Sequence, residues 1–567
     1  MKPGGGSRIT YRFLLCCSAA LVLISTLFPF CHSSKKPPEK DIVKQPEQLV
    51  AHTRENIQTL LSYAGDNNAR INDSIQLNSL TLLHTIYDKN NFQAVWSKED
   101  QWHPLADSLL TFIQHAKEYG LFPADYYFNT LSYIKARIQQ DSVSRKDAAL
   151  WTRADVMLTD AYFKLAKDLK LGRLGRDSLT LRADSLLDDN YFLQYFERAI
   201  ANSSIKPLLE ELEPRYHGYV SLKAGIKTFL DTANLVSYTY VANPNKDSLS
   251  FLKALKVRFA EEGFRKPDTL PDDSLALATV IRNYQLAKGL AVSGKISASL
   301  IKSLNDNDWE KFKRIAVSLD RYKVLPDSNY QTYVMVNIPS YTLYVYDADT
   351  LAMQSRVIVG SPKTRTPLLY SEISNFITYP QWTVPYSIIF KEMLPKIKKD
   401  INYLDKQNLM VVDKADSVID PYTIDWSALS KTYFPYLLRQ RQGDDNSLGV
   451  IKFNFRNKYD VYLHDTNARW LFSQSERALS HGCVRVKEWE KLSRFLVRTD
   501  TLALPADTLK AWISRQEKHV VWKFPKVPLF IRYFTVEGKG NSLKFFNDVY
   551  GQDRTMIDKF FALKPVS

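Results

Sequence analysis

One short stretch, residues 462–486, holds the residue types that could do chemistry. It reads YLHDTNARWLFSQSERALSHGCVRV and contains His464, His481 and Cys483, the only cysteine after residue 31. A thiol becomes a good nucleophile beside a base, and the carbonyl it attacks needs donors for its developing negative charge. His464 could supply the base, and a turn at Gly482 could present backbone N–H groups beside the sulfur. The stretch therefore predicts cysteine acyl transfer; an inert, buried structural cysteine is the alternative.

The same residues carry a family resemblance. H-D-T at 464–466, a spacer, and then S-H-G-C-V-R-V at 480–486 closely resemble the active-site signature of bacterial L,D-transpeptidases with a YkuD-type catalytic domain. The resemblance implies an enzyme that cross-links peptidoglycan stem peptides through a cysteine acyl-enzyme, that carbapenems acylate, and that needs no cofactor. The sequence shows no spacing typical of a metal-ligand set either.

Roles are carried over by matching the signature residue by residue. The resemblance implies that Cys483 is the nucleophile and His464 its base, either in a thiolate–imidazolium pair or by taking the proton as attack begins. It assigns the backbone carbonyl of Asp465, rather than the carboxylate, to orient His464. The backbone N–H groups of Gly482 and Cys483 would form the oxyanion hole, with Ser480 as a supporting residue.

Further residues are expected around the substrate. Arg485 could bind a substrate carboxylate through its planar guanidinium. Tyr379 and Trp382 could line the cleft, and as core aromatics they are equally well explained. We expect His481 to hold the loop by hydrogen bonds rather than to act as the base, because two imidazoles cannot both be positioned for one proton.

Composition narrows the class of protein. A chain of 567 residues is too long to fold around one hydrophobic core, so its length predicts three or four domains. Its formal net charge of +15 would suit nucleic acid, an anionic membrane surface or an acidic wall polymer. The basic residues are spread along the chain, and no zinc-ligand spacing or basic helix favours nucleic acid. The charge is therefore interpreted as suited to an anionic cell envelope.

The N-terminus predicts export. Lys2, Arg8 and Arg12 precede residues 13–31, which carry no charge, as in a signal segment. That run is long enough to remain as one membrane-spanning helix, so residues 1–34 are predicted to be an uncleaved anchor with the body outside the cytoplasm. A cleaved signal peptide or a lipoprotein at Cys31 are the alternatives. Cys483 would then be the one thiol of the exported body, which favours a working cysteine.

The helices and strands that must position this stretch are predicted from the rest of the sequence, which indicates a multidomain α+β protein. Residues 42–242 repeat apolar positions at three- and four-residue steps, which predicts a helical domain. Its segments NFQAVW and KEYGLFPADYY resemble the scaffold domain of the larger L,D-transpeptidases. Residues 247–305 predict three helices, and Y-Q-x-x-x-G-L at 284–290 resembles a peptidoglycan-binding module, a structural spacer being the alternative.

From residue 331 the pattern changes to strands. Runs such as YVMVNIP and YTLYVYD are rich in β-branched and aromatic residues, and they predict a β-rich catalytic domain at 330–500. A strand is expected at residues 459–463, just before His464. By resemblance the long insertion at 389–447 is a capping subdomain over the cleft. Residues 501–567 are expected to pack on the catalytic sheet.

The resemblance implies a two-step reaction. Cys483 attacks the carbonyl of the third stem residue, a diamino acid, expels the terminal D-Ala, and passes the acyl group to the side-chain amine of another stem. The implied partners are peptidoglycan stem peptides and glycan, and the membrane through the N-terminal segment. Water as acceptor would make an L,D-carboxypeptidase, and an amine on an envelope protein would make an anchoring enzyme. A non-catalytic wall-binding scaffold is the alternative from another class. The acceptor, the diamino acid and the oligomeric state are left open.

Overall fold

The computed structural model describes residues 35–175, 180–242, 248–264, 274–326, 330–499 and 506–561. Within these ranges the N-terminal part is helical and the C-terminal part is rich in strands, which confirms the predicted multidomain α+β class. The predicted signal or anchor at 1–34 lies outside the described residues. No helix within the described ranges is long and apolar enough to cross a membrane.

The helical region is built around one buried helix, Ala148–Lys170. Most of its residues are buried on every side, because apolar and small side chains occupy all its faces. Two carboxylates inside it are satisfied by the chain around them: Asp155 accepts from the Trp96 N–H and Asp160 from the Ser79 N–H, each at 2.8 Å. Shorter helices surround it, at Leu49–Asp66, Leu80–Lys89, Pro104–Gln114, Phe128–Gln140, Ser142–Arg145, Asp189–Ala201 and Lys206–Glu210.

The predicted three-helix unit is present as Ser248–Glu261, Ser274–Ala287 and Ala298–Asn305. Gln285, the glutamine of the Y-Q-x-x-x-G-L pattern, is buried. Its side-chain oxygen accepts the backbone N–H groups of Ser293 and Gly294, both at 2.9 Å. The pattern therefore has a structural reason in this chain, since Gln285 ties the loop after its helix into shape.

The C-terminal domain contains a sheet of ten strands, of which eight close on themselves. In chain order the eight are β1 (Thr332–Asn337), β2 (Thr342–Asp347), β3 (Thr350–Gly360), β4 (Leu369–Thr378), β5 (Ile451–Phe455), β6 (Leu463–His464), β7 (Val484–Val486) and β8 (Val527–Arg532). The ring runs β5-β6-β7-β3-β2-β1-β8-β4 and back to β5. Neighbours are antiparallel except for the parallel pairs β6–β7 and β1–β8.

Side chains along these strands alternate between the hydrophobic interior of the ring and its outer surface. Phe453, Leu463 and Val484 are register partners that point into the hydrophobic interior of the ring. Their neighbours along the same strands therefore point outward. The functional face is consequently the outer surface of the sheet at β5, β6 and β7.

The tail departs from its expectation. The sequence predicts that residues 501–567 pack on the sheet, whereas Val527–Arg532 is itself strand β8, paired with β1 on one side and β4 on the other. All six of its residues are buried, because one face lies in the core and the other is covered by helices. The covering helices are His217–Thr232 and Asp308–Tyr322, which join the helical region to the sheet.

The insertion forms a subdomain with its own hydrophobic core. A four-stranded sheet is made by Trp382–Thr383, Leu437–Gln440, Leu409–Val412 and Val418–Ile419. Continuous helical structure runs from Tyr386 to Lys399, including a π-helical turn at Ile389–Met393. The subdomain starts at Trp382, earlier than the predicted residue 389, because that strand pairs with Leu437–Gln440.

Candidate active site

The site is set by strand register on the outer face of the sheet. Lys452 of β5 pairs with His464 of β6, which pairs with Arg485 of β7. Tyr462 and Cys483 lie two residues earlier on their strands, so their side chains project on the same face. The Val484 N–H donates to the Tyr462 carbonyl at 3.1 Å, which fixes this register up to the thiol.

The predicted strand at residues 459–463 is shorter than expected. Strand β6 covers Leu463–His464 alone, because Asn457 folds the preceding residues into a turn. Its side-chain oxygen accepts the N–H groups of Tyr459 and Val461, at 2.9 and 3.2 Å. The turn delivers the chain into β6 with His464 facing outward.

The two predicted catalytic side chains share this face. Cys483 and His464 sit diagonally across neighbouring strands, about 8 Å apart at their Cα atoms for a strand spacing of about 4.8 Å and a rise of about 3.3 Å per residue. Side chains on the same face of a sheet can meet across such a diagonal. The arrangement therefore allows proton transfer between the thiol and the imidazole.

The Cys483 thiol is half-buried and protonated in the resting protein. Burial raises its pKa above the ordinary value of 9.0, although several groups oppose that shift. Hydrogen bonds from the backbone and hydroxyl of Tyr462 lower the pKa, as do the positive charges of Lys452 and Arg485. The Trp382 side chain lies close enough to the Tyr462 hydroxyl to lower its pKa, so Tyr462 lies between the thiol and the insertion.

His464 is buried and neutral. Burial, followed by the charge of Arg485, lowers its pKa to about 3. The backbone carbonyls of Asp465 and Leu448 lie close enough to oppose this shift. Neither forms a hydrogen bond of ordinary geometry with Nδ1, which has no partner among the described residues. The ring is thus flanked by the predicted Asp465 carbonyl but is not locked by it.

The Asp465 carboxylate has a different task. It forms an ion pair with Arg469, at 2.6 Å between Oδ2 and Nη2, and accepts the Val450 N–H at 3.1 Å. These contacts tie the start of β5 to the chain that follows β6. The assignment of the carbonyl, not the carboxylate, to His464 agrees with this arrangement.

The turn that presents the thiol is held by Ser480. Its hydroxyl donates to the Cys483 carbonyl at 2.6 Å and accepts the Gly482 N–H at 3.1 Å. Gly482 has a φ of 126°, which favours glycine, and its carbonyl accepts from the Thr366 hydroxyl at 2.8 Å. The prediction of Gly482 N–H as an oxyanion donor is therefore wrong in this structure, because that N–H is already bound. The Cys483 N–H remains the predicted donor.

His481 contacts a residue of the insertion. Its Nε2 lies 2.6 Å from Glu392 Oε1, and both side chains are about half exposed. This contact agrees with the expectation that His481 holds the loop. The partner is a residue of the insertion, so the bond also fixes the insertion against the thiol turn.

Two cations beside the thiol lack carboxylate partners. No carboxylate of a described residue forms an ion pair with Arg485 or Lys452, and the Arg485 Nε is buried without a hydrogen bond. Lys452 instead lies over the Tyr462 ring, at 4.1 Å from its centroid. Two cations without carboxylate partners at this place favour binding of an anionic group of a ligand.

The two aromatic residues predicted to line the cleft, Trp382 and Tyr379, have different positions. Trp382 contacts the site through Tyr462. Tyr379 is buried, and its hydroxyl donates to Asp444 at 2.7 Å; burial and this bond raise its pKa to about 12. Tyr379 therefore supports the end of the insertion instead of lining an open cleft, which is the core-aromatic alternative.

Sequence reasoning missed Tyr462 and Lys452. Tyr462 carried a signal, because it lies two residues before His464 and a strand places such residues on one face. Lys452 carried none, since only the pairing of β5 with β6 brings it to the site. Within the described ranges, no His, Cys, Asp and Glu side chains gather in threes as a metal site requires.

Comparison with known protein families gives two matches. Residues 331–504 match the family described as the L,D-transpeptidase catalytic domain, YkuD, and residues 81–225 match a family described as a scaffold domain. A Haemophilus influenzae protein, provisionally named an L,D-transpeptidase, is 36% identical over 250 residues. That match covers 43% of this chain and 48% of the relative, so the chain spans about half the length of the relative it matches.

Two solved structures are similar at low identity. One is a cysteine-to-serine mutant of Enterococcus faecium L,D-transpeptidase, 10% identical, covering 47% of this chain and 85% of its own, with a TM-score of 0.17. The other is the Ldtfm–avibactam carbamoyl enzyme, 11% identical, covering 55% of this chain and 96% of its own, with a TM-score of 0.16. At these scores no argument about fold rests on them.

Proposed function

We propose that this chain, whose residues 331–504 match the L,D-transpeptidase catalytic-domain family, cross-links peptidoglycan stem peptides through a thioester on Cys483. The acyl donor would be the third stem residue, a diamino acid. The acceptor would be the side-chain amine of the same residue in another stem. Such a substrate places the body of the chain outside the cytoplasm.

One observation carries the proposal: a thiol, an imidazole and two unpaired cations share one outer face of the sheet. A tetrapeptide stem ends in a carboxylate one residue beyond the carbonyl to be attacked. Arg485 and Lys452 flank the thiol at a suitable place for that carboxylate. Binding it would hold the preceding carbonyl over the sulfur.

The charge states favour proton transfer during attack. In the resting protein burial disfavours both the thiolate and the imidazolium, so the pair begins neutral. As the sulfur bonds to the carbonyl carbon, its proton passes to His464, and the Cys483 N–H donates to the developing oxyanion. Collapse breaks the bond to D-Ala, whose nitrogen takes the proton from His464.

The second step reverses these roles. The acceptor amine attacks the thioester carbonyl and gives a proton to His464. The carbon–sulfur bond then breaks, and the sulfur takes the proton back as a thiol. Every bond and proton is accounted for by the two stems, Cys483 and His464.

The insertion is proposed to cover the bound stem. Trp382 reaches the thiol through Tyr462, and Glu392 bonds His481 beside it. These two contacts hold the subdomain beside the thiol. Closing over the thioester would limit access of water and so favour an amine acceptor.

The test is product analysis by mass spectrometry after incubating the full chain with tetrapeptide stems. A linked pair of stems, absent with Cys483→Ala, is the expected result. A shortened stem alone would show that water is the acceptor and contradict cross-linking. Equal product from Cys483→Ala would contradict the cysteine mechanism.

A further inference from the structure

The loop at residues 361–368 joins strands β3 and β4 and lies against the thiol turn. It donates two hydrogen bonds to the Ser480 carbonyl, both at 2.9 Å. It donates a third to the Gly482 carbonyl, from the Thr366 hydroxyl at 2.8 Å. The turn that presents Cys483 is therefore held by this loop as well as by the Ser480 hydroxyl.

The bond to the Gly482 carbonyl bears on the chemistry because of the peptide group to which that carbonyl belongs. A peptide group is planar and trans, so its carbonyl oxygen and its N–H point in opposite directions. The Gly482 carbonyl and the Cys483 N–H are the two ends of one such group. Because the Thr366 hydroxyl fixes the carbonyl end, it also sets the direction of the N–H that is proposed to donate to the oxyanion. A hydrogen bond to the carbonyl also polarises the amide and strengthens its N–H as a donor.

The hydroxyl of Tyr550, in the C-terminal extension, bridges the two ends of the loop. It accepts the Thr366 N–H at 3.0 Å and donates to the Gly360 carbonyl at 2.7 Å. The Thr366 hydroxyl accepts the Gly360 N–H at 2.8 Å, and its own proton goes to the Gly482 carbonyl. Thr366 and Tyr550 are almost inaccessible to solvent, at 2% and 4% exposure. Removing the Tyr550 hydroxyl would therefore take a partner from a buried N–H and a buried carbonyl.

Tyr550 is itself held by contacts within the C-terminal extension. Its ring lies 5.7 Å from that of Tyr533 between centroids, and its backbone N–H donates to the Tyr533 hydroxyl at 2.8 Å. The Tyr533 hydroxyl in turn donates to Asp548, whose other oxygen accepts the Asp553 N–H at 2.8 Å. Asp553 forms ion pairs with two arginines of helix Asp308–Tyr322. The position of the Tyr550 hydroxyl is therefore set by contacts other than those with the loop.

We infer that Tyr550 is a positioning residue for the proposed acyl transfer. Through Thr366 it orients the peptide group between Gly482 and Cys483, so that the Cys483 N–H is directed at the oxyanion. The inference rests on the proposed function for the reaction that needs this donor. It gives the C-terminal extension a part in the rate of the reaction, in addition to the place of strand β8 in the sheet.

The test compares conservative variants of the full chain. Tyr550→Phe removes the hydroxyl and keeps the ring. The matched control is Tyr344→Phe, because the Tyr344 hydroxyl is also bound within this domain, to Glu537 at 2.7 Å, and not to the thiol turn or its loop. Thr366→Val removes the threonine hydroxyl at nearly constant size, and Thr366→Ser retains it.

We expect Tyr550→Phe to lower kcat for tetrapeptide stems about tenfold, with KM changed less than about twofold, because the oxyanion forms only after the stem has bound. Tyr344→Phe should keep the wild-type kcat. Thr366→Val should lose at least as much as Tyr550→Phe, and Thr366→Ser should recover most of the rate. The double variant should lose no more than Thr366→Val alone, since both side chains act on one peptide group.

Alkylation by iodoacetamide separates the oxyanion donor from the thiol, because the reaction of a thiolate with this reagent forms no oxyanion. At pH 8 the alkylation rate of Cys483 should be the same in Tyr550→Phe as in the wild type. An equal fall in alkylation and in kcat would overturn the inference, since the thiol itself would then be displaced. Wild-type kcat in Tyr550→Phe, or the same loss in Tyr344→Phe, would overturn it too.

One further measurement needs no turnover. Glycine labelled with ¹³C at the carbonyl and cysteine labelled with ¹⁵N should give a single carbonyl–amide NMR signal, because Gly482 and Cys483 are the only Gly-Cys pair in the chain. This signal should shift in Tyr550→Phe and in Thr366→Val and stay in place in Tyr344→Phe. An unmoved signal in the first two variants would overturn the inference. A shifted signal together with a wild type that turns over no stem would contradict the proposed function and leave the positioning of this peptide group standing.

Discussion

The resting charge state of the thiol gives a sharp prediction about its reactivity with pH. Its pKa lies above 9.0, so at pH 7.5 less than about 3% of Cys483 is thiolate. Because the thiolate is the nucleophile, alkylation of Cys483 by iodoacetamide should rise about tenfold per pH unit between pH 6 and 8 and continue to rise up to pH 9. No plateau is expected below pH 9.

Two variants separate the causes. Lys452→Met removes a positive charge that lowers the thiol pKa, so alkylation at pH 8 should become slower. His464→Ala should leave the slope unchanged, because His464, with a pKa of about 3, is neutral throughout this range. Only the acyl-transfer rate should fall in His464→Ala, since there the imidazole accepts a proton.

The assay follows Cys483 by peptide mapping, which separates it from Cys16, Cys17 and Cys31. A pH-independent rate above pH 7 that disappears in His464→Ala would refute this reasoning. That result would mean that a thiolate–imidazolium pair forms before substrate binds.

Three further predictions concern the site. The folded state keeps His464 neutral, so the stability that this residue contributes is lost as pH falls from 6.5 toward 3. Calorimetry should show a free energy of unfolding about 3 kcal/mol lower at pH 4.5 than at pH 7.5 from this residue. The variant His464→Gln should lack that difference. Ser480→Ala should lower kcat at least tenfold with little change in KM, and Ser480→Thr should restore part of it, because the hydroxyl holds the thiol turn. Tyr462→Phe should slow alkylation of Cys483 at pH 8 without lowering the melting temperature; an unchanged alkylation rate would contradict its hydrogen bond to the thiol.

Part of this site could be predicted because it is local in sequence. Residues 480–486 form one turn and one short strand, so the spacing of Ser480 and Cys483 already determines their relation. The change from helical to strand periodicity near residue 331 could be predicted too, because the spacing of apolar residues depends on which side of each helix or strand is buried. These predictions needed no knowledge of distant contacts.

The missing parts depend on pairing between distant segments. Lys452 reaches the thiol only through the register of β5 with β6, and Glu392 reaches His481 across 89 residues. The sequence does not place β8 within the sheet because its partners, β1 and β4, begin more than 150 residues earlier in the chain. The Gly482 N–H is predicted as an oxyanion donor because a turn motif does not reveal that the Ser480 hydroxyl already accepts it.

The central claim is a covalent acyl group on Cys483, and intact-protein mass spectrometry after rapid quenching tests it most directly. Incubation with tetrapeptide stems and no acceptor should give a mass increase equal to the stem without its terminal D-Ala, mapped to Cys483 and absent from Cys483→Ala. Wild-type protein that consumes stems without ever carrying that mass, or that carries it on another residue, would contradict the account.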